Sequence, residues 1–114
     1  MTANEYQQLA LRTEPEIVKN SGLVARLTQG VLGLTGESGE CADILKKYMY
    51  QGHELDREHF AKELGDVAWY LAIAADAVGC TLEYIFETNI EKLKARYPEG
   101  FDADKSLHRV DGDI

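Results

Sequence analysis

The chain has 114 residues, 12 Lys and Arg against 20 Asp and Glu, and a formal net charge of −8. At 45% hydrophobic and 28% charged, with two prolines and no low-complexity tract, it has the composition of one folded domain rather than of a disordered segment. The negative field repels nucleic-acid backbones and anionic lipid, which argues against a DNA, RNA or membrane-surface binder, yet a few local cations or a metal could still hold a small phosphorylated ligand.

Cys41 and Cys80 lack any CxxC spacing and read as reduced core thiols. The N-terminus has no basic, apolar leader and no stretch approaches the roughly 20 apolar residues of a membrane span, so the expected address is cytoplasmic.

Four helical segments and no period-2 strand are predicted, giving an all-α, four-helix-type bundle in a single domain over 1–114. Residues 1–20 form an N-terminal helix and connection. The helix runs from about Thr2 to Arg12, opened by the Thr2/Glu5 capping box and interrupted at Thr13-Glu14-Pro15. A helical core follows over 22–97. Its long first helix runs from Gly22 to Gln51, with Leu23, Leu27, Leu34, Cys41 and Leu45 on one stripe and Gly52 as the stop. The next helix starts at an Asp56 cap and ends at Gly79; the last opens at Thr81 and ends before Pro98, with Leu82, Ile85, Phe86, Ile90 and Leu93 on its apolar side. Residues 98–114 read as a polar tail lying over a surface rather than as a further element.

The long helix carries glycine at 30, 33, 36 and 39. Each costs about 0.8 to 1 kcal/mol relative to Ala in a helix interior, so either another helix or a ligand approaches closely there, or the helix breaks near Gly30 to Gly33. Just beyond lie Glu37 and Glu40, one turn apart on one face, with Glu37 inside the apolar stripe. A carboxylate there must be protonated, paired or bound to a metal. Glu63 and Asp66 repeat the i,i+3 spacing on the following helix. If the two helices form an antiparallel hairpin across Gly52-His53-Glu54-Leu55, all four acids meet at one seam. Any one acid alone reads as the border of a solvated face, but the matched pairs predict a site for Mg²⁺, with Mn²⁺ as a substitute, because hard cations take oxygen ligands.

Asn89, Lys92 and Arg96 line one strip of the last helix and could hold phosphate and a base or sugar edge; Lys92 and Arg96 also suit the negative end of the helix dipole. His53, His59 and His108 have no metal-binding spacing, and no Glu is followed three residues later by His, which argues against a di-iron bundle. Trp69 and Tyr70 read as core or interface aromatics in preference to a base-stacking platform. The face of Tyr6 and Leu9 has no obvious intramolecular partner, and the total apolar face exceeds what one small core buries, so a homodimer is the minimum assembly expected.

Taken together, Gly36-Glu37-Ser38-Gly39-Glu40, Glu63-Leu64-Gly65-Asp66 and the segment from Asn89 to Pro98 resemble the MazG-like nucleotide pyrophosphohydrolases of the all-α nucleoside triphosphate pyrophosphatase superfamily, over roughly 24–101. The resemblance implies a homodimer or dimer of dimers, Mg²⁺ held by Glu37, Glu40, Glu63 and Asp66, and cleavage of a nucleoside triphosphate to monophosphate and pyrophosphate. It also implies nucleotide contacts from Asn89, Lys92 and Arg96, and a general-base role for Glu37 or Glu40. Many relatives carry a further acid just before the first ligand, where this chain has Gly36. The competing reading is a non-catalytic regulatory module that binds metal and nucleotide without turnover.

Overall fold

The structure is a computed structural model that describes residues 1–110 and 112–113. Its helices are α1 (Ala3–Leu11), α2 (Glu16–Lys19), α3 (Leu23–Tyr50), α4 (Arg57–Ala77), α5 (Leu82–Arg96) and α6 (Ala103–Leu107). The four long segments lie where the periodicity puts them. The two short helices were not expected: α2 follows Pro15, and α6 starts from Asp102, whose side chain accepts from the Asp104 and Lys105 N–H groups. Residues beyond Pro98 are therefore not simply a polar tail.

The dominant contact is the antiparallel hairpin of α3 on α4. No break occurs in α3, which runs for 28 residues through all four glycines. A Cβ built on Gly30 would stand 3.1 Å from that of Ala74, and one on Gly33 would fall 2.1 Å from the ring of Tyr70, so these two glycines admit α4 at close range. A Cβ built on Gly36 or Gly39 would meet nothing within 4 Å, so among the described residues no helix approaches closely at either. The hairpin turns at Gly52, whose φ of +73° suits a residue without Cβ. At its far end α4 closes in a Schellman motif, with the Gly79 N–H on the Asp76 carbonyl and the Cys80 N–H on that of Ala75.

Helix α1 lies across α4 and the start of α5. Gln7, 2% exposed, donates from Nε2 to the carbonyls of Ala72 and Cys80 and accepts at Oε1 from the Leu82 N–H. Asn4 accepts from the Glu83 N–H and Thr81 from the Tyr84 N–H, so the first three orphan donors of α5 are all satisfied by side chains. Tyr6 packs against the core around Ala10, Ala72, Ala75 and Leu82, which corrects the expectation that its face lacks an intramolecular partner; Leu9 stays half exposed. Trp69 turns towards α1 and donates to Thr13 at 2.7 Å, while Tyr70 turns towards α3 and meets Trp69 edge-on. Cys41 is buried and Cys80 half-buried, both as free thiols.

A second tie is ionic. Arg26 on α3 makes two bonds to Glu14, at 2.9 and 3.2 Å, and a third to Asp76 on α4 at 2.8 Å. The Glu14 side chain is 1% exposed, so the loop between α1 and α2 is pinned to both hairpin helices. The two carboxylates and the hydrogen bonds they accept raise the Arg26 pKa.

The apolar core is small, and much apolar surface is left outside it: Val24, Leu32, Met49 and Tyr50 are all more than 60% exposed, and Phe86 and Ile90 on the expected apolar side of α5 are about half exposed. The radius of gyration is 17.2 Å, against about 13 Å for a compact chain of this size. Among the described residues no single helix is long and apolar enough to cross a membrane.

Two stability measurements test this picture. Arg26→Met leaves Glu14 buried without its partner and should cost about 3 to 5 kcal/mol in chemical denaturation. Gly33→Ala should destabilise by displacing the Tyr70 ring, whereas Gly39→Ala, which meets open space, should stabilise α3 by about 1 kcal/mol.

Candidate metal centre

Glu37 and the Glu63/Asp66 pair reach the seam from opposite helices because the hairpin contacts run antiparallel: Gly30 meets Ala74, Gly33 meets Tyr70, and one turn further Glu37 meets Glu63 and Asp66. Carboxylate oxygens of these three acids lie within 4.8 Å of one another. Glu37 and Glu63 are half-buried and Asp66 is exposed. A hydrogen bond to Glu63 is the main reason that the Glu37 carboxyl sits above its ordinary range; burial adds to it, and so do the charges of Asp66, Glu63 and Glu40. Crowding of like charges thus makes the proton harder to remove from Glu37, a repulsion that a cation would relieve. An all-oxygen donor set of this kind fits a hard divalent ion.

The fourth expected ligand, Glu40, is exposed and stands outside the three-acid group. It lines an adjoining cleft with Asp43, Lys47, His53 and His59, where Asp43 is paired with Lys46 and Lys47. Its charge still acts on Glu37.

Within one chain the strip on α5 makes no bond to the acids among the described residues. Asn89 and Lys92 are exposed, and Arg96 is held by Asp113 through two bonds of 2.7 Å.

Two further groups border the acids: the sequence marks His59 only as lacking a metal-binding spacing and Tyr6 only as part of an unpartnered face. His59 Nε2 lies 3.2 Å from Glu63, and the i,i+4 spacing on α4 was a readable signal. The Tyr6 hydroxyl lies 3.5 Å from the carbonyl of Gly65, next to Asp66, and burial and then the charge of Asp66 raise its pKa; only the docking of α1 brings it there.

The sequence profile of the MazG nucleotide pyrophosphohydrolase domain matches residues 27–101. The chain belongs to the MazG nucleotide pyrophosphohydrolase family. The match spans the α3–α4 hairpin and α5, so it contains every acid of the seam. The chain is also similar to the Gene 37 protein of Mycobacterium phage L5, with 33% identity over 78 residues that cover 65% of this chain and 68% of the phage protein. No solved structure matches significantly. MazG proteins are typically dependent on a divalent metal, and Glu37, Glu63 and Asp66 form a candidate acidic cluster for such an ion.

Metal addition should stabilise the fold. A divalent ion at about 100 times its Kd adds roughly 2.7 kcal/mol by mass action, and thermal unfolding with and without Mg²⁺ reads it directly. Because the folded-state pKa of Glu37 is raised, unfolding releases a proton, and the metal-free protein should lose stability as pH climbs through that raised value. The Mg²⁺ increment should accordingly be larger at pH 8 than at pH 5, and Glu63→Gln should abolish most of it.

Proposed function

We propose that the chain hydrolyses a nucleoside triphosphate to the monophosphate and pyrophosphate, with water attacking the α-phosphorus and Mg²⁺ as the metal. The observation that carries this reading is the convergence of Glu37, Glu63 and Asp66 from two helices in a member of this family. Mg²⁺ bound by those acids would screen their mutual repulsion and stabilise the negative charge that develops on the phosphoryl oxygens.

The protein's own groups divide the remaining work. Glu37 is engaged with Glu63, whereas Glu40 stands one turn away at the edge of a cleft, which favours Glu40 as the carboxylate that orients the attacking water and takes its proton. The water oxygen bonds to the α-phosphorus, the bond from that phosphorus to the bridging oxygen breaks, and pyrophosphate leaves with the bridging oxygen's electron pair. Asn89, Lys92 and Arg96 would steady the nucleotide and the departing pyrophosphate.

For α5 to serve a site on the hairpin, a second copy must supply it. The extended shape of the single chain, the exposed apolar side of α5 and the exposed residues of α3 all support a homodimer, or a dimer of dimers, in which these surfaces cover each other. We read residues 1–114 as one domain of that assembly.

Pyrophosphate release from a panel of ribo- and deoxyribonucleoside triphosphates tests the reaction. Turnover should require Mg²⁺, and Glu40→Ala should reduce kcat by about 10² to 10⁴. Metal-dependent binding without turnover on any substrate would instead identify a regulatory module. Light scattering should give at least twice the chain mass at micromolar concentration; a monomer would leave the site without α5.

A further inference from the structure

The ion pair of Arg96 and Asp113 is unusual for this surface. Both bonds measure 2.7 Å, and the two side chains are only 10% and 12% exposed. Arg96 thus presents its flat fork to a carboxylate in the bidentate manner in which it also takes phosphate. The acid reaches it from beyond α6, on a segment that bends at Gly112 with φ +87°.

Several cations surround the Asp113 carboxylate. Arg96, Lys105, His108 and Arg109 line one pocket with Asp113, and Lys92 and Arg109 are close enough for their charges to act on the Asp113 carboxyl, whose pKa is lowered chiefly by Arg96. Two described acids of this region are engaged elsewhere: Asp102 caps α6, and Asp104 pairs with His108 at 3.0 Å. Among the described residues that line this pocket, Asp113 is the one carboxylate and faces Arg96, Lys105 and Arg109. A phosphate or pyrophosphate, with more charge and more acceptor oxygens, complements that pocket better than one aspartate does.

We propose that Arg96 and its neighbouring cations form an anion site for a phosphate-bearing ligand, and that Asp113 is a tethered occupant which such a ligand must displace. The C-terminal segment then competes intramolecularly, and the apparent affinity falls in proportion to the fraction of molecules with Arg96 released. This inference rests on the proposed reaction only for the choice of pyrophosphate as the anion.

The test is calorimetric titration of the full chain with inorganic pyrophosphate in EDTA, where neither the acidic seam nor turnover contributes. If Asp113 holds the site closed about nine-tenths of the time, Asp113→Asn should tighten binding roughly tenfold. A chain ending at Val110 should show the same gain, and adding Arg96→Gln to either variant should remove it. Glu99→Gln subtracts the same charge without touching Arg96 and should leave binding unchanged. Equal or weaker binding by Asp113→Asn in a protein of unchanged helical circular dichroism overturns the proposal, as does equal tightening by Glu99→Gln. Loss of Mg²⁺-dependent turnover across the nucleotide panel would overturn the proposed reaction and leave this binding result standing.

Discussion

Where α3 meets α4, Tyr70 lies against Gly33 at a distance that no side chain on α3 would permit, and Ala74 lies against Gly30 a turn earlier. This approach fixes which turn of one helix faces which turn of the other. With the register set there, Glu37 has no choice but to face Glu63 and Asp66, and the repulsion among them is imposed by packing that lies outside the cluster. The propensity cost of glycine in a helix is therefore tied to the site: the same residues that weaken α3 as an isolated helix allow two helices to hold like charges together.

The supports around the hairpin differ in kind. Gln7 and Asn4 act by hydrogen bonding to backbone groups that would otherwise lack partners, and Glu14 and Asp76 act by surrounding one arginine. Neither support is an apolar core in the ordinary sense, and the core itself is thin, with three of its six buried hydrophobic residues alanine. A chain built this way leaves large apolar side chains on its outside, where its own core does not cover them.

The long helices were legible because their signals are local: the Thr2/Glu5 box, the Asp56 and Thr81 caps, and glycines at 52 and 79 all act within a turn or two. The convergence of Glu37, Glu63 and Asp66 was legible for the same reason, since i,i+3 spacing and position in an apolar stripe are read along one helix, whereas Glu40 lies outside that group. What escaped depends on distant partners. Glu14 looks like part of a break beside proline until Arg26 and Asp76 surround it, Tyr6 has no visible partner until α1 docks, and Arg96 looks like an unpaired phosphate ligand until Asp113 returns to it. Periodicity shows which face a residue occupies, but not which face arrives opposite. The glycine ridge was half legible: spacing alone does not separate Gly33, which is crowded, from Gly39, which is not.

The side-chain caps on α5 also bear on the order in which the chain assembles. The α3–α4 hairpin is joined by a short turn and closes with little loss of chain entropy, whereas α1 and the start of α5 are more than seventy residues apart in sequence. Because Leu82 and Glu83 find their acceptors on α1, the beginning of α5 and the whole of α1 gain their hydrogen bonds in the same event. They belong to one cooperative unit laid onto a preformed hairpin, and local opening of either releases both.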